Sequence, residues 1–319
     1  MRAAMLKFFI VFLALAAPAA AQDYPSKPLR LIIPFAPGGS VDIVARLTAQ
    51  KLGDRLGKQV VAENRAGAGG VIGLELAVAA PPDGYTLMLV SLAHAVAPHI
   101  NKLNHEPKTA LTFVASLGNG PSVLTVHPAV PANSVKELIA LGKSKPGTLH
   151  FAHAGVGSFT HTASVLFAMM AGIDTVMVPF KGGGPAMIDV MGGHSHLLMN
   201  SYLASLPHVR SGKLKALGVS DTRRSDLLPG VPTIDEAGVP GYQAANWWGL
   251  AAPAGTPQPI VERLNKEINA ILASDEVKER FDTQGAVPMP MSPAEFTKFY
   301  DTELEKWGKV VKAAGIKSN

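Results

Sequence analysis

The sequence predicts an α/β protein built as two domains. Three observations carry that expectation. Short apolar runs bounded by Gly or Pro alternate with helical patterns along the chain, which argues for parallel strands joined by helical crossovers. The 319 residues exceed one ordinary domain, since domains run roughly 100–200 residues. The βα pattern also restarts after a cluster of breakers, Gly118-Asn-Gly-Pro121, as if a second domain were inserted into the first. A hydrophobic content of 47% against 17% charged excludes a disordered chain.

In chain order, the first element is a targeting segment. Arg2 and Lys7 make a basic start, and residues 8–17 form an apolar run. That run has signal-peptide length and falls short of the roughly 20 residues that span a bilayer. Ala19-Ala20-Ala21 fits the small-residue cleavage rule, so residues 1–21 are expected to be a signal peptide cleaved after Ala21, leaving a periplasmic chain. Two positive charges of the net +5 leave with that segment. The other basic residues are dispersed, without interleaved aromatics, and do not suggest nucleic acid. The chain has no cysteine, which excludes disulfides, cysteine metal sites and a lipidated-cysteine anchor.

Strands are expected at 29–33, 86–90, 122–126, 149–152, 175–178, 196–199, 215–219 and 247–251. Three helix starts carry a hydroxyl followed by Glu three residues later: Ser134/Glu137, Thr233/Glu236 and Ser292/Glu295, the last with Pro293 at the first helical position. The expected division is 22–120 plus 245–290 for domain 1 and 121–244 for domain 2, joined by short crossing strands. The helix in 291–319 can pack on either.

Two strand–turn–helix junctions carry the candidate chemistry. Phe35-Ala-Pro-Gly-Gly-Ser-Val-Asp42 follows the first strand. Gly38 and Gly39 let backbone approach a ligand, and Ser40 is an N-cap candidate. Asp42, in the first turn, is expected to tie the loop by accepting N–H bonds. Ala154-Gly-Val-Gly-Ser-Phe-Thr-His161 repeats the design in the other half, with Gly155, Val156, Gly157, Ser158 and His161. Unpaired N–H groups and the dipole make such helix starts anion sites. A ligandless tight turn is the plain alternative for one junction; two of them can face each other across a cleft at the carboxyl ends of the strands. Lys181, in Lys181-Gly-Gly-Gly-Pro-Ala186, is a candidate for neutralising a distal carboxylate. Ala36, Ser91, His94, Asn200 and Trp247 complete the expected ligand-binding set.

Catalytic and metal signatures mostly fail. Gly142-Lys-Ser144 lacks the earlier glycine of a P-loop, whose place holds Glu137; no G-x-G-x-x-G or G-x-S-x-G occurs. His194 and His196, expected on one face of a strand, have zinc spacing without an evident third ligand. Ser158 and His161 form an i, i+3 pair that a hydrolase could use, but no orienting acid is evident. The expectation is a non-enzymatic protein, with no catalytic residues, metal or cofactor.

Further pieces extend these motifs: Tyr24-Pro-Ser-Lys-Pro28, Glu63-Asn-Arg-Ala-Gly-Ala-Gly-Gly70, Pro82-Asp-Gly-Tyr-Thr-Leu87, Lys145-Pro-Gly147, Val178-Pro-Phe-Lys-Gly182, Ser211-Gly-Lys-Leu214, Val231-Pro-Thr-Ile-Asp-Glu-Ala-Gly238 and Ala252-Pro-Ala-Gly-Thr-Pro257. In this order, with the two glycine-rich loops, the chain resembles the periplasmic solute-binding proteins of tripartite tricarboxylate transporters, the Bug receptor family. The resemblance implies a two-domain periplasmic-binding-protein fold (type II, Venus-flytrap) with mixed sheets flanked by helices and an interdomain cleft. It implies a monomer that closes on a small mono-, di- or tricarboxylate, held by backbone N–H groups of Phe35–Asp42 and of residues 155–161. The implied partner is a membrane permease, or alternatively a sensor protein. The sequence departs from the family pattern at Val165, where Glu is usual, at His196, where Asp is usual, and at Ala110-Leu-Thr, where an Asp usually precedes the Phe matching Phe113.

Overall fold

The computed structural model describes residues 24–317; the expected signal peptide lies outside the described residues. The first half of the chain supplies β1 (Leu29–Ile33), α1 (Ser40–Leu56), β2 (Val60–Asn64), a 3-10 turn (Ala68–Gly70), α2 (Val71–Val78), β3 (Thr86–Ser91), α3 (Leu92–Ile100) and the short α4 (Pro107–Ala110). Then come β4 (Leu111–Val126), α5 (Val135–Ser144), β5 (Leu149–His153), α6 (Phe159–Ala171), β6 (Thr175–Pro179), α7 (Gly183–Met191), β7 (Leu197–Ser201), α8 (Tyr202–Arg210) and β8 (Lys215–Val219). The chain returns through β9 (Ala245–Pro253) and ends with α9 (Gln258–Ala273), α10 (Asp275–Asp282), β10 (Val287–Pro288) and α11 (Pro293–Ala314).

The strands run in the order β2-β1-β3-β9-β4-β7-β5-β6, with β8 and β10 also on β4. Within each half the βα units pair in parallel: β1 with β2 and β3, β5 with β6 and β7. Between them, β4 and β9 are antiparallel, so the sheet is mixed rather than wholly parallel. The first part of β4 pairs with β9, and its last five residues pair with β7 and β8. The predicted strand at 122–126 is thus the end of a 16-residue strand that passes from one half to the other.

The breakers in Gly118-Asn-Gly-Pro121 lie inside that strand. They read as an interruption because glycine is poor strand material. Here they make room: a Cβ on Gly118 would run into the Val287 carbonyl and the Phe281 ring, and one on Gly120 into the Gly285 carbonyl. The Thr233 start is corrected as well. Thr233 and Glu236 exchange both capping bonds, but only a turn follows, and Gly238 and Pro240 leave no room for a helix. Ser134 and Ser292 do start helices, α5 and α11. His194 and His196 precede β7 instead of lying on it.

The core explains how the halves are held. Apolar faces of α3, β4, β5 and α6 form one continuous layer with Trp247 and with Phe296, Tyr300, Trp307 and Val311 of α11. The C-terminal helix therefore lies across both halves. A second core, around Trp248, Leu31 and Leu264, fills the other face of the first half. Among the described residues no helix is long and apolar enough to cross a membrane.

Candidate functional site

The parallel strands β1, β3, β5, β6 and β7 send their carboxyl ends to one place. A cavity of about 30 Å³ lies there, between the halves. Each βα junction contributes: Phe35, Gly39, Ser40 and Val41 from β1–α1; Ser91 from β3–α3; Ala154, Ser158, Phe159 and Thr160 from β5–α6; Gly183 from β6–α7. Asn200 and Asn246 complete the wall. No lining side chain carries a charge.

The halves meet backbone to backbone around this cavity. The Ala36 N–H donates to the Lys181 carbonyl at 3.0 Å. A Cβ on Gly184 would overlap the Pro37 carbonyl, and one on Gly69 the Val156 carbonyl. Glycine is required there because no side chain fits between two chains so close. The arrangement is a closed one.

The polarity of the cavity comes from helix starts. In α1 the first inward bond is Ile43 N–H to Gly39 O, which leaves the Ser40 and Val41 N–H groups at the cavity edge. The cap residue is Gly39, and Ser40 is the first helical residue, so the expectation of Ser40 as a side-chain cap is corrected. In α6, Ser158 is the N-cap and its Oγ accepts the His161 N–H at 3.2 Å. The Thr162 N–H bonds Ser158 O, leaving Phe159 and Thr160 as the first-turn donors. Partial positive charge at these termini favours an anion.

The loop glycines have a different task from the one expected. Three of their N–H groups are already engaged: Gly38 donates to Asp42 Oδ2 (3.1 Å), Gly155 to His153 Nδ1 (3.2 Å) and Gly157 to His161 Nδ1 (3.3 Å). The amides left to face a ligand are those of Gly39 and of the helix turns that follow. Asp42 is buried and also accepts from Arg46 Nε (3.0 Å) and Asn64 Nδ2 (2.8 Å), while Asn64 Nδ2 also donates to Phe35 O. It organises the first loop, as its position suggested, and does not line the cavity.

Burial keeps the nearby imidazoles neutral. It lowers His94 and His153 to about 4 and His161 to about 3, with His153, whose ring is 4.5 Å away, pushing His161 further. His94 Nδ1 accepts the Ser91 N–H at 3.0 Å and helps fix the start of α3 behind the cavity wall. Because His161 Nδ1 faces the Gly157 amide and Ser158 Oγ caps the backbone, the serine and the imidazole are not paired as nucleophile and base.

Two expected residues lie elsewhere. Trp247 is buried beneath α11, against Phe296, Phe299 and Tyr300, and its Nε1 donates to Glu303 at 3.1 Å. The Lys181 side chain is exposed and borders a groove at the rim with Asn101, Gly69 and Val156; only its carbonyl joins the interlobe seam. Val156 and Ala36 belong to that seam too. His196 Nδ1 accepts the His150 N–H, its ring 5.1 Å from His150. No group of three metal-type ligands occurs among the described residues.

Six lining residues escaped the sequence reading: Val41, Ala154, Phe159, Thr160, Gly183 and Asn246. The first five sit inside motifs already singled out, one or two positions from the residues chosen. Asn246 carried no local signal.

Comparison with known proteins gives the family and the fold. Residues 44–316 match the family described as "Tripartite tricarboxylate transporter family receptor". The chain is similar to Protein BugT of Bordetella pertussis, 39% identical over 317 residues, which is 98% of this chain and 97% of that protein. Among solved structures it is similar to R. palustris Rpa4515 with adipate, with TM-score 0.89 and 34% identity over 92% of this chain and 99% of that one. It is also similar to MatC of Rhodopseudomonas palustris with bound malate, with TM-score 0.86 and 34% identity over 90% of this chain and 100% of that one.

Proposed function

The chain belongs to the tripartite tricarboxylate transporter receptor family, and from that premise we propose that it is a periplasmic, non-enzymatic receptor for a small organic carboxylate. One observation carries this reading: first-turn amides of α1 and α6, from opposite halves, edge one buried cavity that has no charged side chain in its wall. Oriented N–H groups compensate a carboxylate without the desolvation cost of a buried lysine or arginine. Rpa4515 with adipate and MatC with malate show the ligand class of two structural neighbours.

The ligand acts by joining the halves. In the open form each half offers half of the donor set; closing brings both sets onto one carboxylate. The bending points are Asn119–Pro121 in β4 and Ala244–Asn246 at the start of β9, where only two strands cross. On this division residues 121–244 form the second domain. The closed surface is then what a membrane permease of the tripartite type receives.

A thermal-shift panel of mono-, di- and tricarboxylates tests the reading. At a ligand concentration 100 times Kd the gain is about 2.7 kcal/mol, several degrees for a chain of this length. Gly157→Val should abolish the gain, because the residue has φ +81° and a Cβ there would strike Ile100. A panel without any shift in the unmodified protein overturns the proposal.

A further inference from the structure

The cavity wall holds no charged side chain, yet an ammonium stands close outside it. Lys181 is exposed and lines a groove of about 370 Å³ that both halves form, with residues 67–69 and Asn101 from the first and Val156 and Phe180 from the second. It is the one charged residue in that lining. Among the described residues it enters no ion pair. Its place is fixed by the backbone: Lys181 O accepts the Ala36 N–H across the seam at 3.0 Å, and Gly183, two residues on, belongs to the cavity wall. Two residues of chain span at most about 7 Å, so the side chain starts within one Debye length of the cavity wall, about 10 Å at 0.1 M salt.

Groups inside and outside the cavity act at different stages. The amides of the helix starts work at contact distance, on a ligand already in place. A solvated ammonium adds little at contact, because water and salt screen it. Its field still reaches an anion that is approaching the cleft. We infer that Lys181 is an electrostatic guide, which draws the carboxylate toward the cleft and raises the association rate without touching the bound ligand; this rests on the carboxylate reading above. Across about 10 Å of water, one pair of unit charges changes the encounter roughly twofold, and the factor multiplies with each charge on the ligand.

Stopped-flow mixing with the tightest binder among acetate, propionate, succinate, malate and citrate tests it. Tryptophan emission is the signal, since Trp247 and Trp248 lie in the crossing strand β9, and kinetic calorimetry replaces it if emission is silent. At 10 mM salt, Lys181→Gln should lower the association rate about twofold per carboxylate of that acid and Lys181→Glu about fourfold, whereas Lys181→Arg should keep it. At 1 M salt all four proteins should associate alike, and dissociation rates should match throughout. A merely structural lysine would not give this salt dependence or the rescue by arginine. An association rate unmoved by Lys181→Glu at low salt overturns this inference alone. So does a loss that appears in the dissociation rate, which would make Lys181 a ligand contact. No binding by any of these acids overturns the carboxylate reading with it.

Discussion

The Nδ1 of His161 accepts a hydrogen bond from the Gly157 amide at 3.3 Å, and that bond exists only while the imidazole is neutral. His153 does the same for Gly155, and His94 for Ser91. Protonation would set N–H against N–H at Gly155 and Gly157, whereas His94 Nδ1 also lies 3.3 Å from the Ser91 carbonyl.

The pH dependence follows from these bonds. Burial holds His94 and His153 at about 4 and His161 at about 3, below the 6.5 of an unfolded chain. Between those values the unfolded state binds more protons, so stability rises with pH. The contribution is complete above about 6.5 and declines as pH falls toward 4. At pH 5 each histidine should cost on the order of 1–2 kcal/mol relative to pH 7.5. Urea unfolding at the two values checks this, and His161→Gln should flatten the dependence.

Closure can be separated from folding at Gly184. It lies in the first turn of α7, where alanine is a better helix former, and the three atoms nearest to an added Cβ all belong to the opposite half. The obstacle is the Pro37 carbonyl of the opposite half. Gly184→Ala should therefore fold with equal or slightly greater stability, by up to about 1 kcal/mol. It should lose the ligand-induced thermal gain and keep an open radius of gyration in small-angle scattering with ligand present. A variant that still closes on ligand would contradict the seam described above.

Asp42 is expected to matter for structure more than for ligand charge. Its carboxylate, 5% exposed, gathers the Gly38 amide, Arg46 and Asn64. Asp42→Ala removes the acceptor and leaves those donors facing a gap, which should cost about 2–4 kcal/mol by urea denaturation. Asp42→Asn keeps one acceptor and should cost less. Equal stability of the alanine variant and the unmodified protein would show that the loop holds its shape without the carboxylate.

Much of this was legible in the sequence for local reasons. The strands at 29–33 and 215–219 begin and end where expected, because apolar runs with breakers at both ends are local signals. The strand β2, Val60–Asn64, was missed because its apolar run is only three residues long before Glu63 and Asn64; it is an edge strand with only its first residue buried. Glycine clusters marked the junctions correctly, but not which amides remain free. That depends on His153 and His161 turning back onto the loop, a side-chain choice with no sequence signature. Asn246 reaches the cavity and Trp247 does not because β9 crosses the sheet at one register. Alternation said only that neighbours face opposite ways, and register is a long-range property.

The same register sets the last prediction. Trp247 Nε1 and Trp307 Nε1 both donate to Glu303 Oε2, at 3.1 and 3.0 Å, and Lys306 Nζ lies 3.1 Å from the other oxygen. Glu303, on α11 and 7% exposed, ties the helix to β9 next to the crossing strands. Glu303→Leu would keep the volume but bury two indole donors without an acceptor, each costing about 1–3 kcal/mol. Glu303→Gln retains a carbonyl oxygen and should lose the smaller share. Both variants should alter tryptophan emission, since two of the three tryptophans change their hydrogen bonding. Because α11 also packs on α3 and α6, the leucine variant should loosen the halves together and unfold in one transition. Two separate transitions would mean that α11 belongs to one half only, and that the carboxylate merely decorates the surface of the core it caps.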